Sequence, residues 1–238
     1  MANTVVPQRV LVTRPAGQAD TLLRLLSQAG FTALHQPALC IEPLPVSLPD
    51  ASELARYPII LFVSSNAVHY FFAAGPTLST QTRCFAVGPA TAAALRQAGM
   101  PVEVPPQGFN SEALLALPQL QQVRKQPILL CRGEGGRPLL ADVLLERGAQ
   151  LDELVLYRRQ CRQDFCWPGS DVAAVLISSV DSWRCIANQL PASCHIIAGS
   201  TRIADAIDAM PRITVARSPA DQDMLAATRQ ALRQGTPE

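Results

Sequence analysis

Short apolar runs in this 238-residue sequence end repeatedly in hydroxyls, glycines and arginines. They read Thr13-Arg14, Ser64-Ser65-Asn66, Gly88-Pro89-Ala90-Thr91, Arg132-Gly133-Glu134-Gly135-Gly136-Arg137, Ser178-Ser179 and Gly199-Ser200-Thr201. If the runs are strands of an open α/β sheet, these residues stand at the carboxyl ends of strands beside helix starts, where such folds gather ligands. Free N–H groups at a helix start carry about half a positive charge, and small hydroxyls add further donors. A planar guanidinium grips carboxylate or phosphate with two parallel bonds. The chemistry on offer is the holding of an anion. Any one such site also fits ordinary helix capping, but five of them facing one cleft would suit a polyanion.

Other chemistries lack their equipment. Neither G-x-G-x-x-G nor a Walker motif is present, and the glycine-rich stretch Arg132 to Arg137 lacks the Lys-Ser/Thr of a phosphate loop. No G-x-S-x-G elbow and no pair of strand-end carboxylates stands out. His35, His69 and His195 are far apart, so no metal site is expected. The seven cysteines form no C-x-x-C pair and are expected as free thiols in a reducing cytosol. Cys84 and Cys131 fall in strand-like runs, where a thiol acts as a small hydrophobe. Cys131 precedes Arg132 but has no basic partner, and it reads as core, as do Trp167 and Trp183.

The elements that would position these residues occur twice. Val10-Leu11-Val12 leads into a helical pattern through Leu22, Leu23, Leu25 and Leu26 closed by Gly30. Ile128-Leu129-Leu130-Cys131 leads likewise into Leu139, Leu140, Val143 and Leu144 closed by Gly148, at a constant offset of 118 residues. Ile59 to Phe62 with Ser64-Ser65-Asn66 matches Ala174 to Ile177 with Ser178-Ser179. Phe85 to Thr91 matches Ile196 to Thr201, pairing Gly88 with Gly199, and Asn110 to Leu117 matches Asp221 to Thr228. Four β-α units therefore occur twice. Continuous apolar runs alternating with helical patterns indicate parallel sheets covered on both faces. Pro89 suits a first helical turn, Asn110 and Asp221 suit N-caps, and Gly30, Gly99 and Gly148 suit helix stops. Repetition alone leaves open whether the copies follow in tandem or one is inserted in the other.

Composition narrows the classes. With 48% hydrophobic and 16% charged residues the chain can build a core, as one large or two small domains. No apolar stretch is long enough for a membrane span and no signal peptide is read, so no membrane association is expected. A net charge of +1 argues against nucleic acid as a partner. All but one of the 20 basic residues are arginine, which suits an acidic substrate but also follows from a GC-rich genome. A monomer is the default. The residues alone leave two classes open: an enzyme acting on an anion, and a non-catalytic two-domain binding protein for a small anionic ligand. A flavodoxin-like nucleotide or flavin binder fits poorly, given no phosphate loop and 5% aromatics.

Several stretches in order resemble uroporphyrinogen-III synthase of the bacterial type. They are Val10 to Pro15, Phe62 to Val68, Ala86 to Ala92, Asn110 to Leu115, Arg132 to Arg137 and Tyr157-Arg158-Arg159. In the second half the likeness holds in outline: Ser200 stands where the family has a proline, and Asp181 stands near the place of Asn66. The resemblance implies two similar doubly wound parallel-sheet (flavodoxin-like) α/β domains joined by a two-stranded linker. One would hold residues 1–37 plus 162–238 and the other 43–155, with linker strands 38–42 and 156–161. It implies a cytoplasmic lyase of haem and sirohaem biosynthesis, working without cofactor. Its substrate would be hydroxymethylbilane, a linear tetrapyrrole with eight carboxylates, taken over from the enzyme that makes it. The product would be uroporphyrinogen III, closed through a spiro intermediate with its last pyrrole inverted and one water lost.

On this resemblance Tyr157 is the candidate proton donor to the leaving hydroxyl, since a phenol keeps its proton at neutral pH. Thr91 is a second catalytic candidate. Arg14, Ser64, Ser65, Asn66, Gly88, Ala90, Arg132, Arg137, Ser178, Ser179, Gly199, Ser200 and Thr201 are expected to bind substrate.

Overall fold

A computed structural model describes residues 7–79, 81–207 and 210–233. The chain divides into two compact units, Met1–Ile41 with Gln160–Glu238, and Glu42–Arg159. The first unit opens with β1 (Arg9–Val12), α1 (Asp20–Gln28) and β2 (Thr32–His35), and the chain then leaves it through β3 (Leu39–Pro43). The second contains α2 (Ala51–Leu54), β4 (Ile59–Phe62), α3 (Ser65–Ala73), β5 (Arg83–Ala86), α4 (Pro89–Gln97) and β6 (Val102–Glu103). It continues with α5 (Ser111–Leu115), β7 (Pro127–Gly133), α6 (Leu139–Glu146) and β8 (Gln150–Cys161), which leads the chain back. The first unit is then completed by β9 (Val172–Ile177), α7 (Val180–Ile186), β10 (His195–Ala198), α8 (Thr201–Asp205), β11 (Ile213–Val215) and α9 (Asp221–Arg233).

The first sheet has the order β2-β1-β9-β10-β11 with every pair parallel. The second runs β3-β8-β7-β4-β5-β6, with the four pairs from β8 to β6 parallel. With β7 standing for β1, β8 for β2 and β4 to β6 for β9 to β11, the two orders coincide. Both are the doubly wound α/β order in which the sheet reverses direction beside its first strand. The second copy is circularly permuted, and both copies are interrupted at the same point, after their second strand. The stretches 38–42 and 156–161 expected as linker strands overlap β3 and β8, which the six-stranded sheet incorporates.

Register corrects one pairing of the repeat. Phe62 lies beside Ala86, and its counterpart Ile177 lies beside Ala198. Gly88 therefore corresponds to Ser200, not to Gly199, and both are helix N-caps. Glycine-for-glycine matching had pulled the alignment one residue off. Asp221 likewise proves to be the first residue of α9 rather than its cap, whereas Asn110 does cap α5, accepting the Ala113 N–H at 2.8 Å.

Why the central strands are apolar is visible in how they bury. Val10, Val12, Ala174, Leu176 and Ile197 pack on one face with residues of α1 and α9. Leu11, Val175, Ile177, Ile196 and Ala198 pack on the other with residues of α7 and α8. Alternate side chains point to opposite faces, so a strand covered on both sides carries no solvent-facing position. In the second unit Ile59, Leu61, Phe85, Ile128 and Leu130 face α5 and α6. Helices α1 and α6 both end on a glycine with left-handed backbone, Gly30 (φ 88°) and Gly148 (φ 80°), which turns the chain into the following strand.

One irregularity matters. The ladder between β7 and β8 pairs Arg132 with Val155 but Gly133 with Tyr157, so Leu156 is an extra residue on β8. Such a bulge bends the strand and re-aims a side chain. Here it lays the Tyr157 ring over Gly133, where a Cβ would stand only 2.5 Å from the ring carbon Cζ. Tyr157 is 1% exposed and is among the largest fully buried side chains.

The cysteines depart from expectation. Cys161 and Cys185 form a disulfide, with Cα atoms 5.2 Å apart. The end of β8 and the last turn of α7 are brought within bridging reach, a proximity that 24 residues of separation conceal in the sequence. Cys40, Cys84, Cys131, Cys166 and Cys194 form no disulfide. No helix among the described residues is long and apolar enough to cross a membrane.

Two measurements check this packing. Gly133→Ala must displace the Tyr157 ring and should lower the urea unfolding free energy by about 1–3 kcal/mol; an unchanged midpoint would mean that the ring is loosely held. Burial pushes the Cys84 and Cys194 thiols up to about 12 and that of Cys131 well above the ordinary range, whereas Cys166 is exposed. Thiolate is the reacting form, so at pH 8 an aromatic disulfide reagent should modify Cys166 in the native protein and reach the other three only after denaturation. Equal rates at all four would contradict the burial.

Candidate active site

In the second unit the strand ends of β4, β5 and β7 form one rim. Ser64 is the N-cap of α3, its Oγ accepting the Ala67 N–H at 3.0 Å. Ser65 and Asn66, in the first turn, are half-buried. Gly88 caps α4 with no side chain, and Pro89 follows at the first helical position. Ala90 is exposed, as is Pro89, while Thr91 is buried at 5% exposure. A direct hydroxyl role for Thr91 is therefore poorly served.

Arg132, expected to hold substrate, is turned into its own loop. Its Nη1 donates to Glu153 at 2.8 Å, its Nη2 to the Gly135 carbonyl at 2.6 Å and its Nε to the Gly133 carbonyl at 3.3 Å. Arg137 behaves differently. It is exposed and paired with Glu112, whose carboxyl it holds below the usual carboxylate range by that hydrogen bond.

Behind this rim lies Tyr157. Its Oη is 2.9 Å from Ser64 Oγ and accepts a hydrogen bond from Arg159 Nη2 at 3.0 Å. The Arg159 guanidinium also lies over the phenol ring, 5.4 Å from its centroid. Tyr70 of α3 stacks on the same ring at 5.8 Å, and burial first, then Tyr157 and Glu42, push its own hydroxyl above the ordinary phenol range. Sequence reasoning brought Tyr157 and Ser64 to the site but left out Gly133 and Arg159, although both lie in the quoted motifs. Tyr70 carries no sequence signal of its own.

The first unit repeats the scheme without the tyrosine. Arg14 donates to Ser178 Oγ (Nε, 3.1 Å), to the Gln18 and Pro219 carbonyls and to Asp221. Like Arg132, its repeat partner, it fixes the loops around it rather than facing outward. Ser179 caps α7 by accepting the Ser182 N–H at 3.0 Å and meets Ser182 Oγ at 2.8 Å. Ser200 caps α8, and Thr201 is exposed. Gly199 is buried, its N–H is spent on the Ile177 carbonyl at 2.9 Å, and a Cβ there would crowd Pro219 at 3.0 Å. Its role is close packing, not donation to a ligand. A recess of about 200 Å³ is lined by Ser178, Ser179, Asp181, Ser200 and Arg202 among others. Arg202 was missed because it lies inside the helical turn, past the strand-end signal. No group of three His, Cys, Asp or Glu residues that could hold a metal is found among the described residues.

Comparison with known proteins gives the chain a family. The family pattern of uroporphyrinogen-III synthase HemD matches residues 20–226. The uroporphyrinogen-III synthase of Proteus mirabilis is 34% identical over 161 residues, covering 63% of this chain and 79% of that protein. That of Escherichia coli is 28% identical over 220 residues, covering 82% and 88%. In fold, a mutant uroporphyrinogen III synthase from Thermus thermophilus superposes with a TM-score of 0.64 at 22% identity, over 95% of this chain and 99% of that one. Uroporphyrinogen-III synthetase from Helicobacter pylori gives 0.65 at 13% identity, over 94% and 99%. The non-catalytic binding protein is thereby disfavoured. A pattern that runs from the first helix into the last, over both copies of the fold, makes this chain a member of the uroporphyrinogen-III synthase family.

Proposed function

We propose that this chain is the lyase that closes hydroxymethylbilane to uroporphyrinogen III. The family match across residues 20–226, which reaches into both units, carries the reading. The rims support it, because eight carboxylates call for many N–H and hydroxyl donors, and a protein of net charge +1 must supply them locally. Candidate carboxylate partners are Ser65, Asn66, Gly88 and Ala90 in the second unit and Ser178, Ser179, Ser200 and Thr201 in the first. Arg14 and Arg132 keep the rims in shape. Arg137 can exchange Glu112 for a substrate carboxylate, since an exposed ion pair is worth little.

The reaction is redox-neutral. The hydroxymethyl oxygen is protonated and leaves as water, giving an azafulvene-like electrophile. The substituted carbon of the last pyrrole attacks it, and the resulting spiro pyrrolenine fragments and recloses inverted. Unaided, the chain would close without inversion, so the enzyme's main task is positioning. Tyr157 is the source of the proton. The reading is of a cytoplasmic monomer that takes the bilane from the enzyme making it before the free chain closes.

Purified protein given fresh hydroxymethylbilane should yield mainly the type III isomer after oxidation and separation, and type I alone would defeat the reading. Tyr157→Phe should slow turnover by roughly 10²-fold with little change in substrate affinity. Unaltered turnover would make the ring purely structural. Thr91→Ala should weaken binding and rate only modestly, as measured by steady-state kinetics.

A further inference from the structure

Elementary bookkeeping constrains the donors and acceptors around Tyr157. A guanidinium only donates, so Tyr157 Oη is the acceptor in its bond with Arg159. The phenol is 1% exposed, and Ser64 Oγ, 2.9 Å from its oxygen, is an acceptor within reach of its hydrogen in a contact where either oxygen can donate. Ser64 Oγ also accepts the Ala67 N–H at 3.0 Å. When the phenol is the donor in that contact, two donors point at the serine oxygen and its own hydrogen is directed away from both. Ser64 is half-buried at the carboxyl end of β4, whereas Tyr157 is closed off.

We propose that Ser64, not Tyr157, hands the proton to the leaving hydroxyl, and that Tyr157 and Arg159 stand behind it as an ordered relay. The proposal rests on the synthase reading and adds a catalytic serine and a positioning arginine to it. As the carbon–oxygen bond breaks, its electron pair leaves with the oxygen, which takes the Ser64 proton and departs as water. The Tyr157 proton moves to Ser64 in the same step, so no alkoxide persists. The phenolate left behind faces the Arg159 guanidinium, a charge-assisted contact stronger than the neutral one. The ring carbon that forms the closing bond later loses its hydrogen as a proton, which returns through Ser64 to Tyr157. One water leaves and the relay is restored.

The repeat supplies a contrast. Ser179 holds the same capping position in the first unit, but its oxygen meets Ser182 rather than a tyrosine backed by an arginine. Capping alone therefore does not require the Tyr157 arrangement.

The test uses single-turnover formation of uroporphyrinogen III. Ser64→Gly removes the hydroxyl while keeping an acceptable N-cap, as Gly88 is for α4. Ser64→Gly and Tyr157→Phe should each slow the reaction by roughly 10²-fold, and the double variant should be no slower than the worse single one. Ser64→Thr, which keeps both cap and hydroxyl, should recover to within a few-fold. In mixtures of light and heavy water the wild-type rate should curve, reporting two protons in motion, and the Tyr157→Phe rate should fall on a line. Losses that multiply in the double variant, or a Ser64→Gly enzyme as fast as wild type, would overturn the relay while leaving the synthase reading intact. Wild type producing only type I product would instead remove the synthase reading itself.

Discussion

Each sheet is buried on both faces, and this decides where chemistry can occur. Val10, Leu11 and Val12 are wholly enclosed, as are Ile60, Leu61 and Phe62. A polar group among them would lose its water with nothing in exchange. Along the central strands hydroxyls, amides and guanidiniums are thus kept to the ends, and those at the carboxyl ends stand where the ladder stops and helices begin. The rims follow from the packing of the strands beneath them.

Within that constraint the two copies have diverged in an informative way. Both retain an arginine at the end of the first strand of the motif, Arg14 and Arg132, and both spend it inward on carbonyls and a carboxylate. In doubly wound sheets this is the crevice that usually admits a ligand. Here the protein's own side chains fill it. In the second copy the filling is Tyr157, carried on a 12-residue β8 where the corresponding β2 has four residues. The lengthened, bulged strand gives one rim a buried phenol that the other lacks.

Much of this was legible in the amino-acid order, and the parts that were not share a cause. The runs at Val10, Ile59, Ile128 and Ala174 announced themselves because burial on both faces removes alternation. The repeat at 118 residues was plain because strand, helix and stopping glycine all recur without a gap. Strand order was hidden, since it depends on pairings between residues far apart, such as Arg9 with Val172. The direction of a guanidinium was hidden as well: Arg14 and Arg132 look the same in sequence whether they meet a ligand or a loop carbonyl. Tyr157 was found by family likeness, but its depth depends on one extra residue, Leu156, and two arginines just after it suggest an exposed place. Cys161 and Cys185 met for the same reason, through a fold that local spacing does not encode.

The interruption after the second strand has a consequence for how the molecule is made. As the chain leaves the ribosome, β1 and β2 emerge first, yet β9, which must cover the other edge of β1, is encoded some 160 residues later. At synthesis rates of about 5–20 residues per second that is a delay on the order of ten seconds or more. The whole inserted unit, Glu42–Arg159, is translated during this interval and has all its own strands at hand. The strands of the inserted unit are therefore complete before β9 is made to cover Val10, Leu11 and Val12.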